Sequence, residues 1–225
     1  MKVIKKALAV CAATAALLAG SATADAQYWQ AANQLQSLIS PALSGSGAYK
    51  GFVEVTGLAG IGSSRANHVE FSTSQGYQYR DWFYMGAGIG VDIVHSSLSD
   101  VESYPGPGVL PEDRLKQTGV MLPVFSDFRF NIAAGSGTSM YIDVRLGASW
   151  LCGSSYLKLN EGWLKNNANF YFRPSVGVRI PVSQNGKQAF NIGVSYLLLT
   201  SGNNYWYASN TQTLSAIGGS ISFDW

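Results

Sequence analysis

The chain has 225 residues, 47% of them hydrophobic and only 12% charged, with 25 glycines and a formal net charge of +2. A balance this close to neutral excludes a protein drawn to nucleic acid or to any partner by charge. Two cysteines are too few for a disulfide scaffold or a cysteine-rich metal centre.

Residues 1–26 read as a signal peptide. Lys2, Lys5 and Lys6 precede the apolar run "ALAVCAATAALLAG", and "ATADA" ends it with Ala24 and Ala26 in the small-residue pattern that precedes cleavage, here before Gln27. The run falls short of the about 20 residues a helical span needs. Cys11 follows Val10 where a lipid-anchored protein needs a small residue, so no lipidation is expected. Cleavage takes three of the 15 basic residues and one of the 13 acidic ones, leaving 12 of each and a formally neutral chain. Cys152 then stands alone, so neither an internal disulfide nor a cysteine metal site can form, and no cofactor is expected. No later stretch approaches about 18 unbroken apolar residues, the signature of a membrane helix.

Residues 27–50 form a different N-terminal periplasmic segment. Trp29, Ala32, Leu35, Leu38 and Ile39 recur at three and four, one face of a short amphipathic helix that Pro41 ends. It reads either as a loosely ordered lead-in or as a helix lying at the membrane interface or plugging a barrel.

From residue 51 to 225 the apolar period is two, in eight segments long enough for tilted transmembrane strands. In "GFVEVTGLAGIG" Val53, Val55 and Ile61 oppose Glu54 and Thr56. "HVEFSTSQGYQYR" sets Val69, Phe71, Tyr77 and Tyr79 against His68, Glu70, Ser72, Gln78 and Arg80. "WFYMGAGIGVDIV" sets Phe83, Met85, Ala87, Ile89, Val91 and Ile93 against glycines and Asp92. In "MLPVFSDFRFNI" and "MYIDVRLGASW", Asp127 and Arg129, then Tyr141, Asp143, Arg145 and Ser149, face away from the apolar side. "FYFRPSVGVRI" opposes Phe170, Phe172, Val176, Val178 and Ile180 to Arg173, Ser175 and Arg179. "AFNIGVSYLLL" and "LSAIGGSISFDW" complete the set.

The connections alternate in length. Arg80–Asp81, "AAGSGTS" and "SQNGKQ", with its Asn185-Gly186 turn, are short. "SSRAN", the stretch from Ser96 to Gly119, "CGSSYLKLNEGWLKNNAN" and "TSGNNYWYASNTQT" are mostly longer. Short turns on one side, long loops on the other and an even strand count define an all-β, eight-stranded antiparallel up-and-down transmembrane barrel. A soluble sandwich would carry lysine, glutamate and threonine on its wet faces; glycine, serine and sparse mixed charges suit a narrow barrel interior instead.

The inward charges are Glu54, Glu70, Asp92, Asp127 and Asp143 against Arg80, Arg129, Arg145, Arg173 and Arg179. Such a cluster could be an ion path or a catalytic carboxylate pair. A plug of salt bridges is the preferred reading, because an unpaired charge there costs several kcal/mol and arginine pairs with several acceptors at once. Tyr77, Tyr79, Trp82, Trp150, Trp163 and Trp225 fall near strand ends, where amphipathic rings form girdles at the headgroups. Pro174 lacks a ladder donor, and a bulge is expected to accommodate it.

The signal peptide, the alternating segments, "LPVFSDFRFNI" and the ending Ile221-x-Phe223-x-Trp225 resemble the small outer-membrane β-barrel proteins of Gram-negative bacteria, similar in architecture to the OmpA transmembrane domain and OmpX. The resemblance covers residues 51–225 and implies a monomeric barrel in the outer membrane, in contact with lipid and lipopolysaccharide. It also implies that Ile221, Phe223 and Trp225 form the signal read by the barrel-assembly machinery, Trp225 departing from the family's more usual phenylalanine. No single activity follows, because the architecture hosts adhesion, transport and lipid modification alike.

Two histidines bound the enzyme reading. "VHSSLSD" places His95, Ser97 and Asp100 close together, a spacing similar to that of the lipid A deacylase among such barrels, whose serine needs a histidine and a carboxylate. His68 reads as an interfacial or loop residue. "GAGIG" continues as a strand, so its glycines give clearance inside the barrel rather than a phosphate cradle. The favoured expectation is a non-enzymatic surface protein whose long loops meet an unidentified external partner; a narrow pore for small or apolar solutes and a lipid A-modifying enzyme are the alternatives.

Overall fold

A computed structural model describes residues 48–63, 65–96, 115–132, 137–153, 156–159, 162–184, 186–201, 204–205, 208–209 and 212–225. The expected signal peptide, the helical pattern around residues 29–39, Ser97, Asp100 and Asn185 lie outside them.

Eight antiparallel strands close into one barrel: β1 (Ala48–Ile61), β2 (Ala66–Arg80), β3 (Phe83–Ser96), β4 (Thr118–Ile132), β5 (Ser139–Cys152), β6 (Ala168–Pro181), β7 (Ala189–Ser201) and β8 (Gln212–Asp224). Each pairs with its neighbours in sequence, and β1 pairs with β8. The period-two segments are therefore the strands, in the expected up-and-down order. At the seam Val53 opposes Phe223 and Val55 opposes Ile221, while Gly51 and Trp225 exchange two backbone hydrogen bonds of 3.1 Å. A Cβ at Gly51 would strike the Trp225 indole, so glycine is what lets that ring rest against the wall.

The outer surface explains the solvent this fold needs. Apart from Arg80 at the turn end of β2, outward positions on the eight strands carry no aspartate, glutamate, lysine or arginine. Val53, Ile89, Ile192 and Ile221 stay 50, 53, 52 and 59% exposed. Water would penalise such a belt at about 25 cal/mol per Å², whereas hydrocarbon does not. At the long-loop end Asn67, His95, Thr118 and Thr200 succeed Val69, Ile93, Val120 and Leu198 on the outward face, marking one edge of the belt. At the other end Tyr77 meets Tyr49 at 6.2 Å and Phe223 meets Trp225 at 6.3 Å, an aromatic girdle. Outward polar groups bond sideways: Tyr196 Oη donates to Ser215 Oγ at 3.1 Å, and Thr73 Oγ1 to the Phe52 carbonyl at 2.9 Å. Strands of 13 to 15 residues exceed the about 9–11 that a tilted span requires, so their loop ends project beyond the belt.

Two local expectations change. Arg80 is exposed, not luminal: the β2–β3 register shifts by one residue between Gln78 and Arg80, turning its side chain out at the Asp81–Trp82 turn. Pro174 sits without a bulge. Phe172 opposes Leu198 and Ser175 opposes Ser195 in one unbroken register, and the barrel forgoes only the ladder pairs between them while the β5 side stays paired at Val144.

Candidate functional site

Among the described residues the barrel encloses a lumen, and its inward side chains divide it into two storeys. The storey nearer the short turns is polar. At its base Asp224 accepts from Arg179 Nε and Nη2, both at 2.9 Å, pairs with Lys50 Nζ at 2.9 Å, and accepts from Asn191 Nδ2 at 3.2 Å. The two-pronged guanidinium contact is the strong geometry for a carboxylate. Ser175, Ser195 and Ser220 continue the polar lining, with Oγ separations of 2.8 and 3.2 Å across β6, β7 and β8.

Higher up, Glu54 on β1 reaches across the barrel to β5 and β6. It accepts from Arg145 Nη2 at 3.0 Å, from Arg173 Nη2 and from Thr56 Oγ1 at 3.0 Å. Arg173 also donates to Glu70 Oε1 at 3.0 Å, and Tyr171 Oη donates to Glu70 Oε2 at 2.9 Å. Arg145 donates to Ser72 at 3.0 Å and lies 3.2 Å from Asp143 and 3.6 Å from Asp127. The Arg129 guanidinium is sandwiched between Phe52 and Tyr141, 4.1 and 4.5 Å from their ring centroids, with Asp143 at 3.5 Å. All of these side chains are buried.

Of the ten expected network residues, Glu54, Glu70, Asp127, Arg129, Asp143, Arg145 and Arg173 come together, Arg179 binds the basal carboxylate, and Asp92 pairs elsewhere with His68. Arg80 does not join, whereas Lys50 and Asp224 do. Among the described residues six buried carboxylates face five buried lysine and arginine side chains, with His68 beside the sixth, Asp92. The glycines give the clearance expected of them. A Cβ at Gly88 would lie 2.4 Å from the Phe125 ring, and one at Gly193 would lie 2.4 Å from Tyr141 Oη.

The storey toward the long loops is apolar, which the sequence reading missed. Leu58, Ala66, Val94, Met121, Leu151, Leu197, Leu199, Leu214 and Ala216 point inward and are buried. Two short strands, Tyr156–Leu159 and Gly162–Lys165, form a hairpin beside Leu115–Lys116, and Leu157, Leu159 and Leu164 from it join the same core. Phe125 and Tyr171, stacked at 5.7 Å, floor this storey, and Arg145 lies 4.9 Å beneath the Phe125 ring. The available signal was the failure of alternation at strand ends such as "YLLLT", where both faces are oily.

The two histidines point to opposite sides of the wall. His95 faces outward, exposed, with Nδ1 2.8 Å from Thr118 Oγ1. His68 is luminal and buried, with Nδ1 2.7 Å from Asp92 Oδ2.

A closed eight-stranded barrel, apolar outside and charged within, is the architecture of bacterial outer-membrane barrel proteins. No protein-family model and no curated protein sequence matches the chain. Among solved structures it is similar to Neisserial surface protein A, with a TM-score of 0.52 and 11% identity over 78% of this chain and 95% of that one. The outer-membrane enzyme PagL aligns with a TM-score of 0.49 and 12% identity over 77% and 97%, and the N-terminal barrel domain of Pseudomonas aeruginosa OprF with 0.43 and 10% over 80% and 100%. At 11% identity the likeness to Neisserial surface protein A extends to the fold and carries no activity across.

Proposed function

We propose that the protein is a sealed outer-membrane scaffold, exported through its signal peptide and delivered as a monomer by the barrel-assembly machinery. Its long loops meet a partner outside the cell. One observation carries this reading: side chains occupy the lumen from Asp224 at one end to Leu157 at the other, ions paired below and leucines packed above. A plug of this kind holds loops in place without opening a path. The test is reconstitution of the full chain into planar lipid bilayers, with no unitary conductance steps expected; regular steps would replace the scaffold by a channel.

The narrow-pore reading draws on Asp127, Arg129 and Asp143, which carry hydrogen-bonding atoms without a hydrogen-bond partner, a wettable patch in mid-barrel. The apolar storey stands across that route. A deacylase centred on His95 and Ser97 is tested by replacing both with alanine and determining the acyl composition of lipid A.

A further inference from the structure

His68 lies above the charge layer, among apolar neighbours. Its register partners are Leu58 on β1 and Val94 on β3, and it is 2% exposed. A carboxylate only accepts, so Nδ1 donates to Asp92, and in the neutral ring Nε2 is left as the acceptor. Nε2 has no partner.

On β3, Asp92 and Ser96 lie two residues either side of Val94, so both are diagonal neighbours of His68 on the inner face. Diagonal side chains in an antiparallel pair lie within reach of one another. Ser96 is 1% exposed, its Oγ also without a partner, and its backbone N–H is pinned to the Gln117 carbonyl at 2.8 Å. Carboxylate, imidazole and hydroxyl thus follow one another along two paired strands, the order in which a serine is activated. Buried polar atoms without partners call for an explanation, and here two of them belong to diagonal neighbours on one inner face.

We propose that Ser96, His68 and Asp92 form a nucleophilic site for carboxylic esters with a short apolar acyl chain, entering at the long-loop mouth of the barrel. The substrate class follows from the neighbours: Leu58 and Val94 oppose His68, Ala66 opposes Ser96 and Met121 opposes Asp92, all buried and apolar. The position lies at the long-loop end of the barrel, beneath the capping hairpin. Ser96 ends β3, and Gly119, opposite Val94, would bring a Cβ to 3.4 Å from Leu157 of the capping hairpin. Ser96 Oγ adds to the ester carbonyl as its proton passes to His68 Nε2. The carbon–oxygen bond to the alcohol breaks, and the alcohol leaves with that proton. Water then follows the same route, releasing the carboxylic acid and restoring the serine hydroxyl. Asp92 is a positioning residue, fixing the ring and its tautomer.

The test treats the folded full chain in detergent micelles with a fluorophosphonate and locates the adduct by peptide mass spectrometry, alongside hydrolysis of 4-nitrophenyl butyrate. An adduct on Ser96 is expected, lost in Ser96→Ala and formed about a hundredfold more slowly in His68→Gln. Asp92→Asn should shift the pH profile of labelling while the barrel keeps its heat-modifiable gel mobility. No adduct on the unaltered chain, an adduct on Ser97 or another serine instead of Ser96, or labelling indifferent to His68→Gln would each overturn the proposal.

Discussion

Replacing Glu54 by glutamine tests the luminal network at its centre. The amide keeps the shape and one carbonyl acceptor but removes the negative charge facing Arg145 at 3.0 Å and Arg173 beside it. Taking one partner from a buried ion pair costs about 3–5 kcal/mol, because the other charge is left in a poor solvent. Arg173 retains Glu70 at 3.0 Å and Arg145 retains Asp143 at 3.2 Å, so neither cation is stranded. The loss should therefore fall at the lower end of that range, about 3 kcal/mol. Equilibrium unfolding in urea, with the folded barrel in detergent micelles and tryptophan emission as the signal, measures it. The double variant with Arg145→Met isolates the pairwise part, expected to be about 1–3 kcal/mol. A loss under about 1 kcal/mol in Glu54→Gln would refute the reasoning, since the pairs would then be wet enough to be worth no more than surface ones.

Two glycines on opposite faces give a matched comparison. Gly88→Val drives a side chain into the Phe125 ring and should cost about 1–3 kcal/mol by overpacking, whereas Gly57→Val enters open space and should change the urea midpoint little. Val55→Arg places a charge in the apolar belt and should lose about 2–4 kcal/mol in a bilayer, the penalty falling when the same substitution is made toward the belt's edge. Leu157→Ala removes a fully buried leucine of the capping hairpin and should cost about 2–5 kcal/mol. Protease susceptibility of the loop-end hairpin should rise with it, and unchanged cleavage would show that the cap does not depend on that contact.

The barrel was legible because its determinants are local and repetitive. Val53-x-Val55 and Ile221-x-Phe223 declare their faces two residues at a time. The polar storey was legible for the same reason, since Glu54, Arg145 and Arg173 fall on the face opposite the apolar positions of their strands. Arg80 misled because parity propagates only until a register slip, and one extra residue at a tight turn reverses it. The apolar storey was hidden where both faces of a strand are hydrophobic, so that Leu197 and Leu199 pointing inward look the same as Leu198 pointing out. His68 and Asp92 were separately visible, but their pairing depends on how β2 registers against β3, a relation between segments that neither contains.

The seam between β1 and β8 sets the order in which this molecule can be made. Gly51 and Trp225 bracket almost the whole described chain, yet their backbones must meet before any edge disappears. Every other strand can find its partner as soon as the adjoining hairpin forms, whereas this contact needs both β1 and β8. Closure is then the slow, long-range event of maturation. Until it occurs, two bare rows of amide and carbonyl groups would sit in a lipid interior that cannot satisfy them.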